Sequence, residues 1–517
     1  MHVCASKVLM SVDASQTQSR FTVFADKLFT SPLSILIIAL GTVLAWYFEN
    51  FYIAIGVYGA MFILIALTCS SLIGTIPIFL YAVTSYSVKM KFDWDLIVPL
   101  LVTGGSLLLL IIISTIVFLI KNKVKPRDCK VNLIGFLAMV IVSFTGGILI
   151  GYPSTFTYQY LAGIGANLAI MLYVFALSAG IKKNNVRFLV HSYIMLAMVV
   201  FAETIIYFVR IGVNGGDVMQ AFLYKTLTYG WNHSNGGAIL MLSALPFALY
   251  MIASGKGNPV YYLFISMIIC LGILITQSRS TLLALAVVLL IGMPVAFFKC
   301  DKKRKIEFIQ GTLVCIITLA IIYLAFADTV VEAILERFVN KKLDPTGRIE
   351  IWQNTLKEVL DGDIIFGMGF LHKLPETKEY CAHSTPLQLF NNFGIVGLVA
   401  GAVYYFFLYK TLLYKTGLFG FYATLSMVAF DIFGLLDISM YAPMAVLPMA
   451  TLVVIGGLAR ADRDEVVRRK HLDEFLELAE RSVKENRRKA FFAAERNVKS
   501  QIVSGEGSDS DIPQIKF

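Results

Sequence analysis

The sequence predicts an all-α, polytopic integral membrane protein with about fourteen transmembrane helices and one large extracytoplasmic loop. Hydrophobic residues make up 57% of the 517 residues and charged residues only 15%, which is more apolar side chain than a soluble globule needs. Apolar runs of roughly 20 residues, long enough to cross a bilayer, recur from Ser34 to Leu458. This composition excludes DNA-binding, cytosolic and disulfide-stapled secreted proteins.

Each predicted span is an apolar stretch bounded by polar or charged residues. In chain order the stretches lie at about 34–49, 51–69, 71–88, 96–120, 131–152, 156–180, 188–210, 235–254, 259–277, 281–298, 307–327, 387–409, 416–436 and 442–458. The polar segment before them shows no small-residue cleavage signature, so no cleaved signal peptide is expected. The cysteines show no paired spacing, and we expect neither a disulfide framework nor a zinc site.

Charged loops set the predicted orientation, because an excess of lysine and arginine marks the cytoplasmic side of a membrane. Basic residues mark the loops at 121–130, 182–187, 256, 299–305 and 410–415. Consecutive basic loops are separated by two spans, so all of them are expected on the cytoplasmic side together with both termini. The outer side then receives the loops at 89–95, 211–231, 277–280 and 328–386.

These assignments divide the chain into a cytoplasmic N-terminal segment at 1–33, a transmembrane domain at 34–458 and a charged cytoplasmic helical tail at 459–517. The tail holds 13 Lys and Arg and 12 Asp and Glu residues of alternating sign, a pattern typical of a solvated helix. A cytoplasmic protein partner is one role for such a tail.

The large extracytoplasmic loop at 328–386 contains one amphipathic stretch at 348–360. Its apolar residues Ile349, Trp352, Leu356 and Val359 alternate with polar ones at helical spacing, which predicts a helix lying against the membrane domain.

Two arginines are candidates for chemistry on the predicted outer side. Arg279 lies in the turn at 276–280, where two spans meet the surface, and an arginine at such a depth is costly without a partner or a function. The alternative is an arginine that only extends its charged end to the interface. Arg348 begins the amphipathic stretch, and Trp352 follows it by one helical turn.

His383 lies in the string at 381–389, immediately before the next predicted span. An imidazole at the mouth of a cavity between helices is suited to proton transfer at neutral pH, although most exposed histidines in loops have no such role. Glu376, Glu379, Cys381 and His383 match no standard metal site in their spacing, and no metal is expected.

A third outer segment, at 229–238, enters a span through Asn235 and two glycines, with Lys225 a few residues upstream. Amides and glycines at a helix start can approach a polar ligand closely, although an ordinary helix cap explains Asn235 as well. Within the membrane, Glu203, Asp431 and Asp437 are either buried partners for the arginines or a proton or ion pathway.

Taken together, these segments resemble the O-antigen ligase and O-antigen polymerase superfamily of bacterial membrane glycosyltransferases. The resemblance covers roughly 229–409 and rests on four motifs: a Ser-Arg pair that starts a span, a Gly-Asn-Asn segment that enters a helix, an Arg-x-x-x-Trp leading to Phe-Gly-x-Gly, and a His-Ser-x-x-Leu-Gln string followed by Gly-x-x-Gly. Their residues are Ser278 and Arg279; Gly230, either Asn232 or His233, and Asn235; Arg348, Trp352, Phe366, Gly367 and Gly369; and His383, Ser384, Leu387, Gln388, Gly394 and Gly397.

The resemblance implies a GT-C-like helical fold and an enzyme that uses a polyprenyl-pyrophosphate-linked oligosaccharide as donor and a sugar hydroxyl as acceptor, without cofactor or metal. Guanidinium groups stabilise the departing pyrophosphate in such a reaction, and Arg279 and Arg348 are the candidates. His383 is the candidate base for the attacking hydroxyl. The candidate substrate-binding residues are Asn235, Lys225, Trp352, Ser384 and Gln388.

The preferred function is therefore a surface-polysaccharide polymerase in the bacterial cytoplasmic membrane, in contact with membrane lipid. A ligase that transfers finished glycan to a lipid or protein acceptor has the same requirements. A flippase for lipid-linked oligosaccharides is less favoured, because no repeat between the two halves of the sequence is visible and one outer loop is long.

Overall fold

The computed structural model describes residues 20–85, 109–151, 158–182, 185–223, 225–229, 232–325, 347–372, 382–440 and 443–503. The protein is built almost wholly of α-helices over this part of the chain. The candidate residues Glu376, Glu379 and Cys381 and the motif residue Gly230 lie outside the described residues.

The described part of the N-terminal half consists mainly of helices. They are α1 (Arg20–Phe29), α2 (Pro32–Tyr47), α3 (Phe51–Thr68), α4 (Ile76–Tyr81), α5 (Leu109–Lys121), α6 (Ile134–Ser143), α7 (Tyr158–Gly180), α8 (Val186–Val213) and α9 (Val218–Leu223). Two 3₁₀ helices, Leu72–Thr75 and Pro126–Asp128, complete this half.

The C-terminal half begins with a short antiparallel hairpin, β1 (Thr228–Tyr229) and β2 (Asn232–His233), which the sequence did not predict. Eight helices follow: α10 (Ser234–Ala253), α11 (Pro259–Thr276), α12 (Arg279–Lys299), α13 (Lys302–Ala325), α14 (Arg348–Asp361), α15 (Thr385–Leu413), α16 (Gly417–Leu436) and α17 (Pro443–Val503).

Multi-pass membrane insertion agrees with this architecture, although the expected count of fourteen spans is not confirmed. Among the described residues, eight helices are long and apolar enough to cross a bilayer, and the α1–α2 pair, bent by 52°, adds a ninth if it forms one span. Predicted spans such as 71–88 and 131–152 contain only shorter helices within the described residues, α4 and α6. Apolar length in a sequence therefore overstates the length of regular helix at these positions.

The central helix of the bundle is α10, which packs against α8, α11, α12 and α16. Its sequence is apolar or small on every side and carries no charged residue, and a helix of that kind is stable only when surrounded by other helices. Every residue of α10 except Asn235 is buried. Asn235, at its first turn, is therefore the point where α10 meets accessible space.

The starts of α10 and α12 and the end of α16, which carry or adjoin candidate residues, lie at the same end of the bundle. Ser426 of α16 donates a hydrogen bond to the carbonyl of Ser243 in α10, and Tyr422 of α16 donates to the carbonyl of Gly292 in α12. Gly292 in turn lies against Leu249 of α10. The contacts at these two levels make α16 antiparallel to α10. Gly272, near the end of α11, lies against Met241, near the start of α10, and only Gln277 and Ser278 separate α11 from α12. The starts of α10 and α12 and the end of α16 therefore share one end, and α12 runs parallel to α10.

Helix α15 is broken at Gly394, whose φ of 61° and ψ of −152° are not helical. The segment 363–369 inserts at this break and bonds to it through the backbone: Ile395 N–H donates to the Ile364 carbonyl at 2.9 Å, and Met368 N–H to the Asn391 carbonyl at 2.7 Å. The insertion satisfies backbone groups that a broken membrane helix would otherwise leave without partners. The Phe-Gly-x-Gly and Gly-x-x-Gly motifs therefore meet each other in space.

The part of α15 before the break folds back on the part after it. A Cβ atom on Gly401 would lie 2.8 Å from Leu389 Cδ1, although residues twelve positions apart in a straight helix are separated by about 18 Å. The fold-back places the start of α15, preceded by Ser384, alongside the later part of the same helix.

The predicted amphipathic helix at 348–360 is present as α14, but the expected apolar face is partly wrong. The buried residues are Ile351, Thr355 and Val359, whereas Ile349 and Leu356 are 52% and 43% exposed. Thr355 can be buried because its hydroxyl donates to the Ile351 carbonyl at 2.7 Å. The helical periodicity of apolar residues therefore did not predict that Thr355 is buried.

Residues Ala461–Phe517 form a separate compact unit, described to residue 503 as the second part of α17. The charged side chains that the structure describes in this helix are exposed, and some form pairs one helical turn apart, such as Lys489 with Glu485 at 2.7 Å and Lys499 with Glu495 at 2.8 Å. Such pairs stabilise a solvated helix by only about 0.2–0.5 kcal/mol each.

We expect Gly394→Ala to destabilise the protein by roughly 3 kcal/mol or more, because only glycine adopts this backbone conformation readily. The new Cβ would also lie 2.4 Å from the Ile365 carbonyl oxygen. Thermal unfolding of the purified protein in detergent measures the effect. Gly165→Ala in α7 is the matched control, since a Cβ there meets nothing within 4 Å, and equal stability of the two variants would contradict the expectation.

Candidate active site

Asp437 lies at the centre of a cluster of polar side chains at the end of α16. Its Oδ1 lies 3.4 Å from His383 Nδ1, and its Oδ2 lies 3.5 Å from Arg348 Nη2. Arg348 also donates from Nη1 to the carbonyl of Leu436, the last residue of α16. One carboxylate therefore joins Arg348 and His383, two of the three predicted catalytic residues, which come from different elements.

Two further predicted residues are linked to the same carboxylate, one directly and one through the first. Asn235, at the start of α10, donates from Nδ2 to Asp437 Oδ2 at 3.2 Å. Its Oδ1 accepts a hydrogen bond from Lys225 Nζ. We call the set Lys225, Asn235, Arg348, His383 and Asp437 the Asp437 cluster.

Asp437 is the anion that balances the positive groups of this cluster. Burial raises the pKa of its carboxyl, but the hydrogen bond with His383 and the charge of Arg348 outweigh burial and hold the pKa below its usual range. The backbone N–H of Ile438 adds a further donor at 3.0 Å. Asp437, just beyond α16, is therefore ionised at neutral pH.

The backbone holds His383 in a fixed and uncommon conformation. Its φ is +47°, in the left-handed region that few residues other than glycine adopt, and such strain often marks functional positions. Gln388 Oε1 accepts from the Ala382 N–H at 2.8 Å, and Thr385 Oγ1 accepts from the Ser439 N–H at 3.0 Å. These bonds anchor both chain segments on which His383 and Asp437 lie.

Gln388 thus lies inside the protein rather than toward a ligand. It is buried, and its Nε2 donates to Asn392 Oδ1 at 2.8 Å in addition to its contact with Ala382. Ser384 is also buried and precedes α15 at the N-cap position.

Trp352 follows Arg348 by four residues and therefore lies on the same side of α14. Its indole ring is half-buried, and its Nε1–H meets no acceptor among the described residues. Buried indole N–H groups usually have a partner, so this donor is suited to a polar ligand.

Arg279 begins α12 at the same end of the bundle as Asn235 and Asp437, because α10 and α12 run parallel. The turn before it is sharp, with Gln277 at a φ of 53°. Gln277 Nε2 donates to the Phe222 carbonyl at 2.9 Å, three residues before Lys225. The Arg279 turn therefore contacts the segment that carries Lys225.

The sequence analysis did not select Asp437 as a site residue, although it named Asp437 among possible partners for the arginines. The only indication in the sequence was an acidic residue at the end of a predicted span. The sequence does not show which distant residues that carboxylate contacts. Among the described residues, no group of three His, Cys, Asp or Glu side chains is arranged to hold a metal ion.

The cluster can hold an anion and accept a proton at neighbouring positions. When His383 Nδ1 carries the proton shared with Asp437, Nε2 is left as an acceptor. Arg348 presents a planar guanidinium that can bind phosphate oxygens in pairs.

Comparison with known protein families agrees with this geometry. Residues 263–402, which include Arg279, Arg348 and His383, match the family model Wzy_C, described as O-antigen ligase. No curated protein matches the chain. The match over residues 263–402 supports a relationship between this part of the multi-pass membrane protein and the O-antigen ligase and polymerase superfamily.

Proposed function

We propose that the protein is a polysaccharide polymerase of the bacterial cytoplasmic membrane that acts on its outer side. The donor is a glycan linked to a polyprenyl pyrophosphate, and the acceptor is a sugar hydroxyl. The observation that carries the proposal is the shared carboxylate of Asp437, which holds Arg348 and His383 together at the end of the bundle where Arg279 begins α12. The family match supports the same class of reaction.

In the proposed reaction the acceptor oxygen bonds to the anomeric carbon of the donor glycan while the bond from that carbon to the pyrophosphate oxygen breaks. The bonding electron pair leaves with the lipid pyrophosphate. Arg348 and Arg279 stabilise the developing negative charge, so the proposal requires no metal ion.

His383 accepts the proton of the attacking hydroxyl at Nε2, because Nδ1 faces Asp437. Asp437 fixes the tautomer and stabilises the imidazolium that forms. Its role is positioning, since it reaches the substrate only through His383 and Arg348.

The remaining residues of the cluster and its surroundings are proposed to hold the substrates. Lys225 and Asn235 line the start of α10, and Trp352 offers an indole N–H and an aromatic ring to a sugar. Ser384 and Gln388 are proposed to act indirectly, by shaping the segment that carries His383.

A polymerase and a ligase differ in what remains on the cell surface when the gene is deleted. Loss of a polymerase leaves single repeat units attached to their acceptor, whereas loss of a ligase leaves no attached glycan. A flippase would instead fail to join lipid-linked glycans as a purified protein in detergent, where transport has no meaning.

We expect His383→Ala to lower glycan transfer by on the order of a hundredfold or more without loss of folded protein. The measurement is product formed by purified variants at equal, monodisperse concentrations. His372→Ala is the control, because His372 is similarly half-buried but pairs with Glu358. Near-normal transfer by His383→Ala would remove the proton-transfer role.

Asp437→Asn should lower turnover at least tenfold, because the neutral amide no longer stabilises the imidazolium or orients Arg348. Its effect should be much smaller when combined with His383→Ala than on its own, because the two residues act as one unit. Glu358→Gln disturbs a comparable carboxylate–histidine pair outside the cluster and should leave turnover nearly unchanged. Independent effects of the Asp437 and His383 substitutions would contradict the coupling.

Arg279→Lys should impair transfer nearly as strongly as Arg279→Ala, since a point charge does not reproduce the two-pronged contact with a pyrophosphate. Arg210→Lys is a matched control, because Arg210 forms an exposed ion pair with Glu49 at 3.3 Å. Full activity in Arg279→Lys would instead support an arginine that serves only as an interfacial anchor.

A further inference from the structure

A cavity lined by basic and apolar residues lies at the end of α10 that is remote from the Asp437 cluster. Asn235 begins this helix, and Lys256 lies in the turn after it, so the two ends are separated by about 30 Å. The cavity has a volume of about 280 Å³ and is enclosed by the start of α2, the start of α8 and the α10–α11 turn. It is separate from the Asp437 cluster and takes no part in the proposed reaction.

The polar wall of this cavity is basic. Arg187 and Lys256 lie at its exposed edge, and His191 lies deeper, with Nε2 3.2 Å from the hydroxyl of Tyr262. No aspartate or glutamate is among the described residues that line it, and neither cation forms an ion pair with a described residue. The excess of positive charge favours an anionic ligand.

The turn that carries Lys256 is held rigidly in place. Arg304 donates to the carbonyls of Ile252 at 2.7 Å, Gly255 at 3.1 Å and Gly257 at 2.7 Å. The ring of Tyr262 packs directly against Gly257, where a Cβ would lie 2.1 Å from the ring. The backbone position of Lys256 is therefore set by the fold.

Part of the cavity lining is apolar, and the cavity extends toward a helix suited to the membrane interface. Pro32, Ile35 and Phe188 form this apolar wall. The cavity reaches Thr30 at the α1–α2 bend, and α1 exposes Phe21 and Phe24, each at 62%. An amphipathic helix with exposed aromatic residues is typical of a segment lying in the lipid headgroup region.

We propose that this cavity binds the phosphate group of an anionic phospholipid. Arg187 and Lys256 contact the phosphate oxygens, the Tyr262 hydroxyl donates a further hydrogen bond, and the apolar wall receives the glycerol and the first acyl carbons. A soluble phosphate ester shares the phosphate chemistry, but it would leave the apolar wall without a partner. Basic pockets between membrane helices are known to suit such headgroups.

The test compares lipid binding by the full-length protein and by the double variant Arg187→Ala/Lys256→Ala. Native mass spectrometry and thermal unfolding in detergent are recorded with added phosphatidylglycerol, phosphatidylcholine or millimolar inorganic phosphate. The control Lys299→Ala/Lys303→Ala removes the same charge from exposed positions outside the cavity. We expect phosphatidylglycerol binding to weaken by on the order of tenfold or more only in the cavity variant.

Two outcomes overturn the proposal. Equal retention of phosphatidylglycerol by all variants would show that the cavity holds no lipid, and equal loss in both double variants would show only general attraction to positive charge. Stabilisation by inorganic phosphate as large as that by phosphatidylglycerol would replace the lipid with a soluble phosphate compound. If the double variant does not fold, Tyr262→Phe and Arg187→Gln provide the same comparison singly.

Discussion

A carboxylate at the end of a membrane helix is stable only when donors surround it, and Asp437 is such a carboxylate. Asp437 is partly buried, so water compensates its charge only in part when one of these donors is removed. Asn235, Arg348 and His383 supply those donors from α10, α14 and the segment before α15. The same interactions that make the buried charge tolerable also bring the candidate catalytic groups together.

The backbone junction at Gly394 helps to hold the start of α15, which follows His383, in its position. Insertion of the segment 363–369 into the break of α15 ties the loop after α14 to the helix that follows His383. Both glycine motifs serve this junction, since Gly367 and Gly394 adopt positive φ values where their backbones touch. These glycines allow two chain segments to approach closely, and the proposed contacts with substrate are made by other residues.

The central helix α10 connects two polar regions of different chemistry. At its start Asn235 belongs to a cluster that contains an anion, a guanidinium and an imidazole, whereas the turn after its end carries Lys256 beside a cavity lined by cations. One apolar helix therefore gives both ends of the bundle a fixed scaffold.

The sequence by itself determined the helical class, the membrane character and most of the candidate residues. Long apolar runs must form helices in lipid, and charged or polar residues beside them are scarce enough to identify. Only the tertiary structure decided that Asp437 joins His383, Arg348 and Asn235, which lie 54, 89 and 202 positions away in the chain. It also decided that Gln388 faces inward and that α14 buries Thr355, because packing between distant segments, and not local periodicity, selects which polar side chains are satisfied inside the protein.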